Sequence, residues 1–212
     1  MMVSGLIERV IADTRFPVRN GVFVAVVGPS GAGKDTLIAY ARERLGERQG
    51  AEFVRRVITR ASDAASEDHD TLAEAAFIDA EADGAFAISW RAHGLCYGLP
   101  AAVDEAISAG RVAVANVSRA AIPMLNARYA NVVIAEITAA PEILAERLSA
   151  RGRESRDDVL ARLARSTPAV DAVACDVVRI DNSGTREEAG DRLVAAIRKA
   201  IAFADVSGTV EP

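Results

Sequence analysis

The feature that most constrains this chain is a glycine-rich stretch directly after a short, wholly apolar segment. Val22–Val27 has the length and composition of a buried strand. The sequence Gly28-Pro-Ser-Gly-Ala-Gly-Lys34 follows it with the spacing G-x-x-x-x-G-K, and Asp35–Leu45 then has the pattern of a helix that ends at Gly46. In this context backbone N–H groups surround phosphate oxygens, and the lysine reaches the outer phosphates. The sequence therefore predicts an ATP-binding loop formed by Gly28, Pro29, Ser30, Gly31, Ala32, Gly33, Lys34, Asp35 and Thr36.

The loop departs from the usual motif at one position. The residue after the lysine is ordinarily Ser or Thr, whose hydroxyl binds Mg²⁺, whereas here it is Asp35, and Thr36 follows one place later. A carboxylate beside a triphosphate is repelled unless it faces the metal or its waters. We expect Asp35, Thr36 or both to position Mg²⁺. The alternative left open is that Asp35 only places a favourable charge at the helix N-terminus.

The rest of the chain alternates between strand-like and helical segments. Strands are predicted at Phe53–Ile58, Phe86–Ser89, Arg111–Val117, Val132–Ile137 and Val177–Ile180. Helices are predicted after the capping box Thr71–Glu74, over Pro100–Ala109, from Pro141 to about Arg151, from Ser155 onward, and after a second capping box at Thr185–Glu188. This alternation predicts an α/β fold in which a parallel sheet is flanked by helices.

Composition limits the partners and the compartment. The 212 residues are half hydrophobic, which suits one domain, and the net charge of −5 without a long Lys/Arg run argues against nucleic acid. No apolar run approaches the roughly 20 residues that span a bilayer, and the first residues mix acids and bases, unlike a signal peptide. Cys96 and Cys175 lie far apart, so we expect reduced thiols. We therefore expect a cytoplasmic protein that binds no membrane.

Further motifs, in the same order and with the same spacing, resemble the guanylate-kinase-like group of P-loop kinases. Besides the loop they are Arg56-Val-Ile-Thr-Arg60, Glu67-Asp-His69, Phe86-Ala-Ile-Ser-Trp90, His93-Gly-Leu-Cys-Tyr97-Gly98 and Arg151-Gly-Arg-Glu-Ser155. Within that group they are most similar to the ribose 1,5-bisphosphate phosphokinases of phosphonate metabolism, over nearly the whole chain after Asn20. The resemblance implies a single P-loop kinase domain with a core at 20–52 and 99–205, an acceptor-binding insertion at 53–98 and a lid at 151–157.

The resemblance also implies roles for individual residues. Arg56, Arg60 and Tyr97 match acceptor-phosphate ligands, and we assign Ser118 and Arg119 to the same substrate-binding set. Arg147 and Arg153 match lid arginines that neutralise the transferring phosphoryl group, so the expected catalytic set is Lys34, Arg147 and Arg153. The roles of His69 and His93, the role of residues 1–20 and the oligomeric state, including a homodimer, stay open.

Two positions bear on the choice of acceptor. Ser89 stands where guanylate kinases use a glutamate to bind guanine, and Asn116 stands where they carry an acidic residue. The loss of both carboxylates favours a base-free sugar phosphate as acceptor. We expect ATP and Mg²⁺ to convert ribose 1,5-bisphosphate to 5-phosphoribosyl 1-diphosphate. The alternatives are a nucleoside monophosphate kinase and a non-catalytic interaction module, and the intact phosphate loop disfavours the module.

Overall fold

A five-stranded parallel sheet forms the centre of the computed structural model, which describes residues 17–46, 50–59, 69–92, 94–150 and 176–207. The strands are β1 Val22–Val27, β2 Ala51–Phe53, β7 Val112–Asn116, β8 Val132–Thr138 and β9 Asp176–Asp181, in the spatial order β2-β7-β1-β8-β9. All four pairings are parallel. Because β1 lies between β7 and β8, the carboxyl ends of these two strands flank the loop that follows β1.

Helices cover both faces of this sheet. On one face lie α1 Lys34–Leu45, α5 Pro141–Ser149 and the long C-terminal helix α6 Arg186–Ser207, and their apolar side chains form one buried cluster with the sheet. On the other face lie α3 Ala102–Ser108 and α4 Ile122–Arg128, preceded by a 3₁₀ turn at Arg119–Ala121. The predicted α/β architecture is confirmed. Thr185 and Glu188 each accept a hydrogen bond from the other's backbone N–H at the start of α6, as the second capping box predicts.

A second sheet of four strands packs on the α3 and α4 side. It contains β3 Arg56–Ile58, β4 His69–Thr71, β5 Phe86–Ala92 and β6 Leu95–Pro100, in the order β4-β3-β6-β5, with helix α2 Glu74–Ala82 between β4 and β5. Ile88, Trp90 and Leu99 project from β5 and β6 into the buried cluster beneath α3 and α4. The two sheets therefore share one apolar core, and the cleft between them adjoins the loop after β1.

Several predicted elements differ from the structure. The segment Phe53–Ile58 is not one strand, because Phe53 ends β2 of the first sheet whereas Arg56 begins β3 of the second. The second sheet accordingly spans 56–100, and the acceptor-binding role of 53–98 stays a prediction. Thr71 does not cap a helix, since it lies in β4 and α2 begins at Glu74 without a side-chain cap. Strands β4 and β6 and helix α4 were not predicted, and Pro100 ends β6 instead of beginning a helix.

The remaining predicted segments agree to within a few residues, and two fall outside the described residues. The helix from Ser155 and the lid at 151–157 are among the residues that the structure does not describe. Cys96 is a buried free thiol. Within the described part of the chain, no helix combines the length and apolar character that crossing a membrane requires.

Candidate active site at the phosphate loop

Two glycines of the loop occupy positions that no other residue fits. Gly28 and Gly33 have φ angles of 148° and 87°, which L side chains rarely adopt. A Cβ atom on Gly28 would lie 2.2 Å from the carbonyl oxygen of Ile137 on β8, and one on Gly33 would lie 2.5 Å from Nδ2 of Asn182. The loop is therefore packed against the strand ends on that side of β1. This packing fixes the path of the backbone whose N–H groups are expected to bind phosphate.

Lys34 is folded over this loop. Its ammonium donates hydrogen bonds to the carbonyl oxygens of Gly28 at 2.9 Å and Pro29 at 3.0 Å, and its side chain is partly buried. The first turn of α1 closes behind it, with the N–H of Leu37 donating to the carbonyl of Gly33 at 3.0 Å. The cation is thus positioned at the mouth of the loop, at the N-terminus of the helix, where a polyphosphate would be bound.

Asn182 lies in the segment Asp181–Ser183, which resembles the loop beside the ATP base in these kinases, and it supports the other side of the phosphate loop. Its side chain is 5% exposed, and Nδ2 donates to the carbonyl oxygen of Ala32 at 2.7 Å. The backbone carbonyl oxygen of Asn182 accepts a hydrogen bond from Nη2 of Arg147 at 3.1 Å. The other terminal nitrogen of Arg147, Nη1, is buried and has no hydrogen-bond acceptor among the described residues. Arg147 therefore presents an unsatisfied donor beside the loop, where a phosphoryl oxygen could accept it.

Asn116, at the carboxyl end of β7, connects the loop to the second sheet. Its Nδ2 donates to Oδ1 of Asp35 at 2.6 Å, and its backbone oxygen accepts from Nη1 of Arg56 at 3.2 Å. These three residues line one small pocket between α1 and β3. The predicted acceptor ligand Arg56 and the predicted metal ligand Asp35 are therefore connected through one buried residue, Asn116.

A further pair of donors lies after β7. Arg119 donates from Nη2 to Oε1 of Glu136 at 2.9 Å, and Glu136 is 5% exposed at the end of β8. Arg179 of β9 approaches the second oxygen of the same carboxylate at 3.5 Å. Nε of Arg119 and the hydroxyl of Ser118 are buried without a hydrogen-bond partner in the described structure. Glu136 thus holds Arg119 in place while Arg119 and Ser118 keep donors for a bound anion.

Trp90 and Tyr97 form the wall of the second sheet that faces the core. The two residues are paired across β5 and β6, and their rings stack with centroids 5.3 Å apart and planes inclined by 7°. Trp90 is 4% exposed and packs into the shared core, as expected for a structural tryptophan. The predicted phosphate ligand Tyr97 is half-buried beside it.

Ser89 lies on the opposite face of the second sheet from Trp90 and Tyr97. Ser89 pairs with Gly98, next to the Trp90–Tyr97 pair, and consecutive strand residues point to opposite faces. Its hydroxyl accordingly donates to Glu81 of α2, on the far side of the sheet. Hydrogen bonds from Arg91 and Ser89 lower the pKa of Glu81 from 4.5 to about 2. Trp90 packs in the core, and the absence of a guanine-binding carboxylate at this place stays a prediction.

The structure does not describe every predicted site residue. Arg60, Arg153 and His93 lie outside the described residues. Thr36 is exposed one position beyond Asp35, whereas His69 is 4% exposed on β4 beside Arg56 of β3. Over the described ranges, no three His, Cys, Asp or Glu side chains are grouped as a metal site would require. The residues that fit Mg²⁺ are Asp35, which supplies one carboxylate, and Asn116, whose buried Oδ1 has no described donor.

Comparison with known proteins agrees with this arrangement. The chain is 55% identical over 210 residues to ribose 1,5-bisphosphate phosphokinase PhnN of Chelativorans sp. (strain BNC1), covering 99% of this chain and 100% of that protein. It is 49% identical over 176 residues to the protein of the same name from Agrobacterium fabrum (strain C58), covering 83% and 96% of the two chains. The chain belongs to the family of ribose 1,5-bisphosphate phosphokinases. No family model matches the sequence.

Solved structures support the fold of this family member. Guanylate kinase from Anaplasma phagocytophilum superposes with a TM-score of 0.60 at 19% identity, covering 84% of this chain and 85% of that one. A gluconokinase from Sinorhizobium meliloti 1021 gives a TM-score of 0.50 at 16% identity, covering 89% and 98%. These superpositions establish the P-loop kinase fold. Because the identities are low, they leave the acceptor undefined. The chain is thus an ATP-dependent kinase in fold and family.

Proposed function

We propose that this protein transfers the γ-phosphoryl group of ATP to ribose 1,5-bisphosphate, giving 5-phosphoribosyl 1-diphosphate and ADP, as a cytoplasmic step of phosphonate catabolism. The observation that carries the proposal is the position of Asn116, whose side-chain amide binds Asp35 of the phosphate loop while its backbone oxygen binds Arg56 of the second sheet. The loop expected to bind ATP and an arginine that can bind an anion therefore contact the same residue. The names of relatives that match nearly the full length identify the sugar bisphosphate among such acceptors.

The proposed chemistry requires alignment and charge neutralisation more than proton transfer. An oxygen of the acceptor's 1-phosphate forms a bond to the γ-phosphorus, while the bond from that phosphorus to the β–γ bridging oxygen breaks and leaves ADP. Mg²⁺, held by Asp35 or Thr36, would neutralise charge on the β- and γ-phosphates. Lys34 and Arg147, with Arg153, would stabilise the negative charge on the phosphoryl oxygens.

The acceptor would be held by its two phosphates. Arg56, which lines a small pocket with Asp35 and Asn116, and Tyr97 lie on the second sheet, and Ser118 and Arg119 have buried donors after the end of β7. With Arg60 they would bind the phosphate that does not react. Ser89 offers a neutral hydroxyl where guanylate kinases use a glutamate to bind guanine. The lack of a carboxylate at this position favours the sugar bisphosphate over GMP.

The test is a comparison of kcat/KM for ribose 1,5-bisphosphate and GMP, with ATP, Mg²⁺ and one purified preparation. We expect the sugar bisphosphate to be preferred by about 10²-fold or more, because a site without a base-binding carboxylate leaves the purine donors unpaired. Phosphorus NMR should identify a diphosphate on C1 of the product. A clear preference for GMP would overturn the acceptor while leaving a kinase.

The matched control is Lys34→Ala prepared in the same way. Lys34 is partly buried at the mouth of the site, where it binds loop carbonyls and lies outside the apolar core, so the variant should fold and lose nearly all turnover. Turnover that persists in folded Lys34→Ala protein would show either a contaminating kinase or a wrong assignment of the loop.

A further inference from the structure

The strongest unexplained polar atom near the phosphate loop is the side-chain oxygen of Asn116. This side chain is 7% exposed, its Nδ2 is bound to Asp35, and its Oδ1 has no hydrogen-bond partner within the described structure. A buried acceptor without a partner is costly, and one explanation for such an atom is a water or an ion bound there. The amide also touches a carboxylate, which is a ligand type that Mg²⁺ uses.

The chemical types at these two positions are exchanged relative to other P-loop enzymes. Those enzymes hold Mg²⁺ with a Ser or Thr hydroxyl from the loop and an Asp from a neighbouring strand. Here the loop position after Lys34 carries the carboxylate of Asp35, and β7, which is hydrogen-bonded to β1, ends in the neutral amide of Asn116. The pair keeps one negative charge and one neutral oxygen, with the charge moved from the strand to the loop.

We propose that Asp35 and Asn116 act as one magnesium-binding unit in which the loop carboxylate replaces the strand carboxylate. Asp35 supplies the charge to the metal or its waters, and Asn116 orients that carboxylate through Nδ2 and offers Oδ1 to the same shell. This inference rests on the proposed use of MgATP and specifies which residues hold the metal. It also predicts a role for Asn116 that a loop motif alone does not contain.

A purely structural role for the pair leads to a different expectation. The hydrogen bond between Asn116 and Asp35 could serve only to fasten α1 to β7, and the Asp35 carboxylate could serve only the helix N-terminus. Asp35→Asn separates the two explanations, because the new amide keeps an oxygen that can accept the hydrogen bond but carries no charge. Under the structural role this variant changes stability slightly and leaves metal affinity unchanged.

The experiment measures the Mn²⁺ affinity of the enzyme–ATP complex by electron paramagnetic resonance, without any acceptor. Asp35→Asn should weaken Mn²⁺ binding by about tenfold or more, whereas ATP binding in excess EDTA should not fall. The double variant Asp35→Asn/Asn116→Asp returns the carboxylate to the strand and should recover most of the lost affinity. Asp79→Asn, an exposed position on α2, is the matched control and should leave the affinity unchanged.

Two outcomes would overturn the proposal. The first is unchanged Mn²⁺ affinity in Asp35→Asn, and the second is a double variant that binds Mn²⁺ no better than the single one. If Asp35→Asn does not fold, Asn116→Ala can distinguish the metal-binding role from the structural one. This variant removes Oδ1 and should also weaken Mn²⁺ binding. Because no acceptor is present, a failure of ribose 1,5-bisphosphate as substrate would appear only in the turnover assay and would leave this result intact.

Discussion

Two side chains from strands that are distant in sequence form hydrogen bonds with the phosphate loop. Asn182 and Asn116 approach it from β9 and β7, through the carbonyl of Ala32 and the carboxylate of Asp35. The loop itself could be predicted because its glycines and Lys34 are contiguous in sequence and their function depends on local backbone conformation. Neither asparagine could be assigned in this way, since each reaches the loop only through parallel strand order. The signal that pointed toward Asn116 was the resemblance to guanylate kinases, which carry an acidic residue at this strand end.

Arg147 leads to a prediction at the scale of one residue. Its Nη2 is bound to Asn182, and its buried Nη1 is 3.9 Å from a Cβ atom placed on Gly33, so the guanidinium is already aimed at the loop. Arg147→Ala should lower kcat by about 10²-fold, with a smaller change in ATP affinity, as expected for a group that stabilises developing charge. Arg147→Lys should restore part of kcat, because it keeps the charge and loses the fork geometry.

The control for Arg147 is Arg198→Ala, which removes an exposed guanidinium from α6 and should leave both quantities unchanged. The measurements are steady-state kcat and the dissociation constant of ATP from calorimetry. If Arg147→Ala weakened ATP binding and left kcat at the wild-type value, the residue would act on bound ATP and not on the transition state.

At the scale of elements, sheet pairing overrode local signals. Thr71 lies in strand β4 and not in the predicted capping box, because β4 pairs in parallel with Arg56–Ile58 of β3. The hydrogen bond from Ser89 to Glu81 could not be predicted either, because it joins strand β5 to helix α2. By contrast, β1 and β8 were predicted nearly to their ends, because fully buried parallel strands are continuous apolar runs.

The link between α2 and β5 should make the stability of the second sheet depend on pH. Arg91 donates to Glu81 at 2.9 Å and 2.5 Å, Ser89 donates to the same carboxylate, and the pKa of Glu81 falls from 4.5 to about 2. Since the pKa is lowered by folding, the ionised carboxylate stabilises the protein fully above about pH 4.5 and progressively less as pH falls to about 2. Glu81→Gln should therefore be less stable than wild type at neutral pH, with a difference that shrinks in acid.

Urea unfolding at a series of pH values tests this expectation. Glu43→Gln, an exposed position on α1, serves as the control. Its difference from wild type in the free energy of unfolding should not shrink comparably below about pH 4.5. A free-energy difference for Glu81→Gln that stays constant from neutral pH to about pH 3 would contradict the assigned role of this ion pair.

At the scale of the whole molecule, the two sheets share a core instead of being separate units. Leu99, Ile88 and Trp90 of the second sheet pack with Phe23, Ala25 and Val27 of β1, the strand that leads into the phosphate loop. Chain order alone predicted an insertion between two core segments. It could not predict this shared packing, because the contacts join strands that are distant in sequence.

Trp90 can serve as an intrinsic fluorescent probe, since the chain contains a single tryptophan and its ring stacks on Tyr97. Its indole is 4% exposed and its Nε1 has no described hydrogen-bond partner, so its emission should be that of an apolar site and should respond to changes at Tyr97. Adding ribose 1,5-bisphosphate should shift or quench the emission, whereas ATP without acceptor should change it little. An equal response to both ligands would show that the fluorophore does not distinguish the two halves of the cleft. With Trp90→Phe as the blank, titration of the emission would then give acceptor affinity directly, without a label and without turnover.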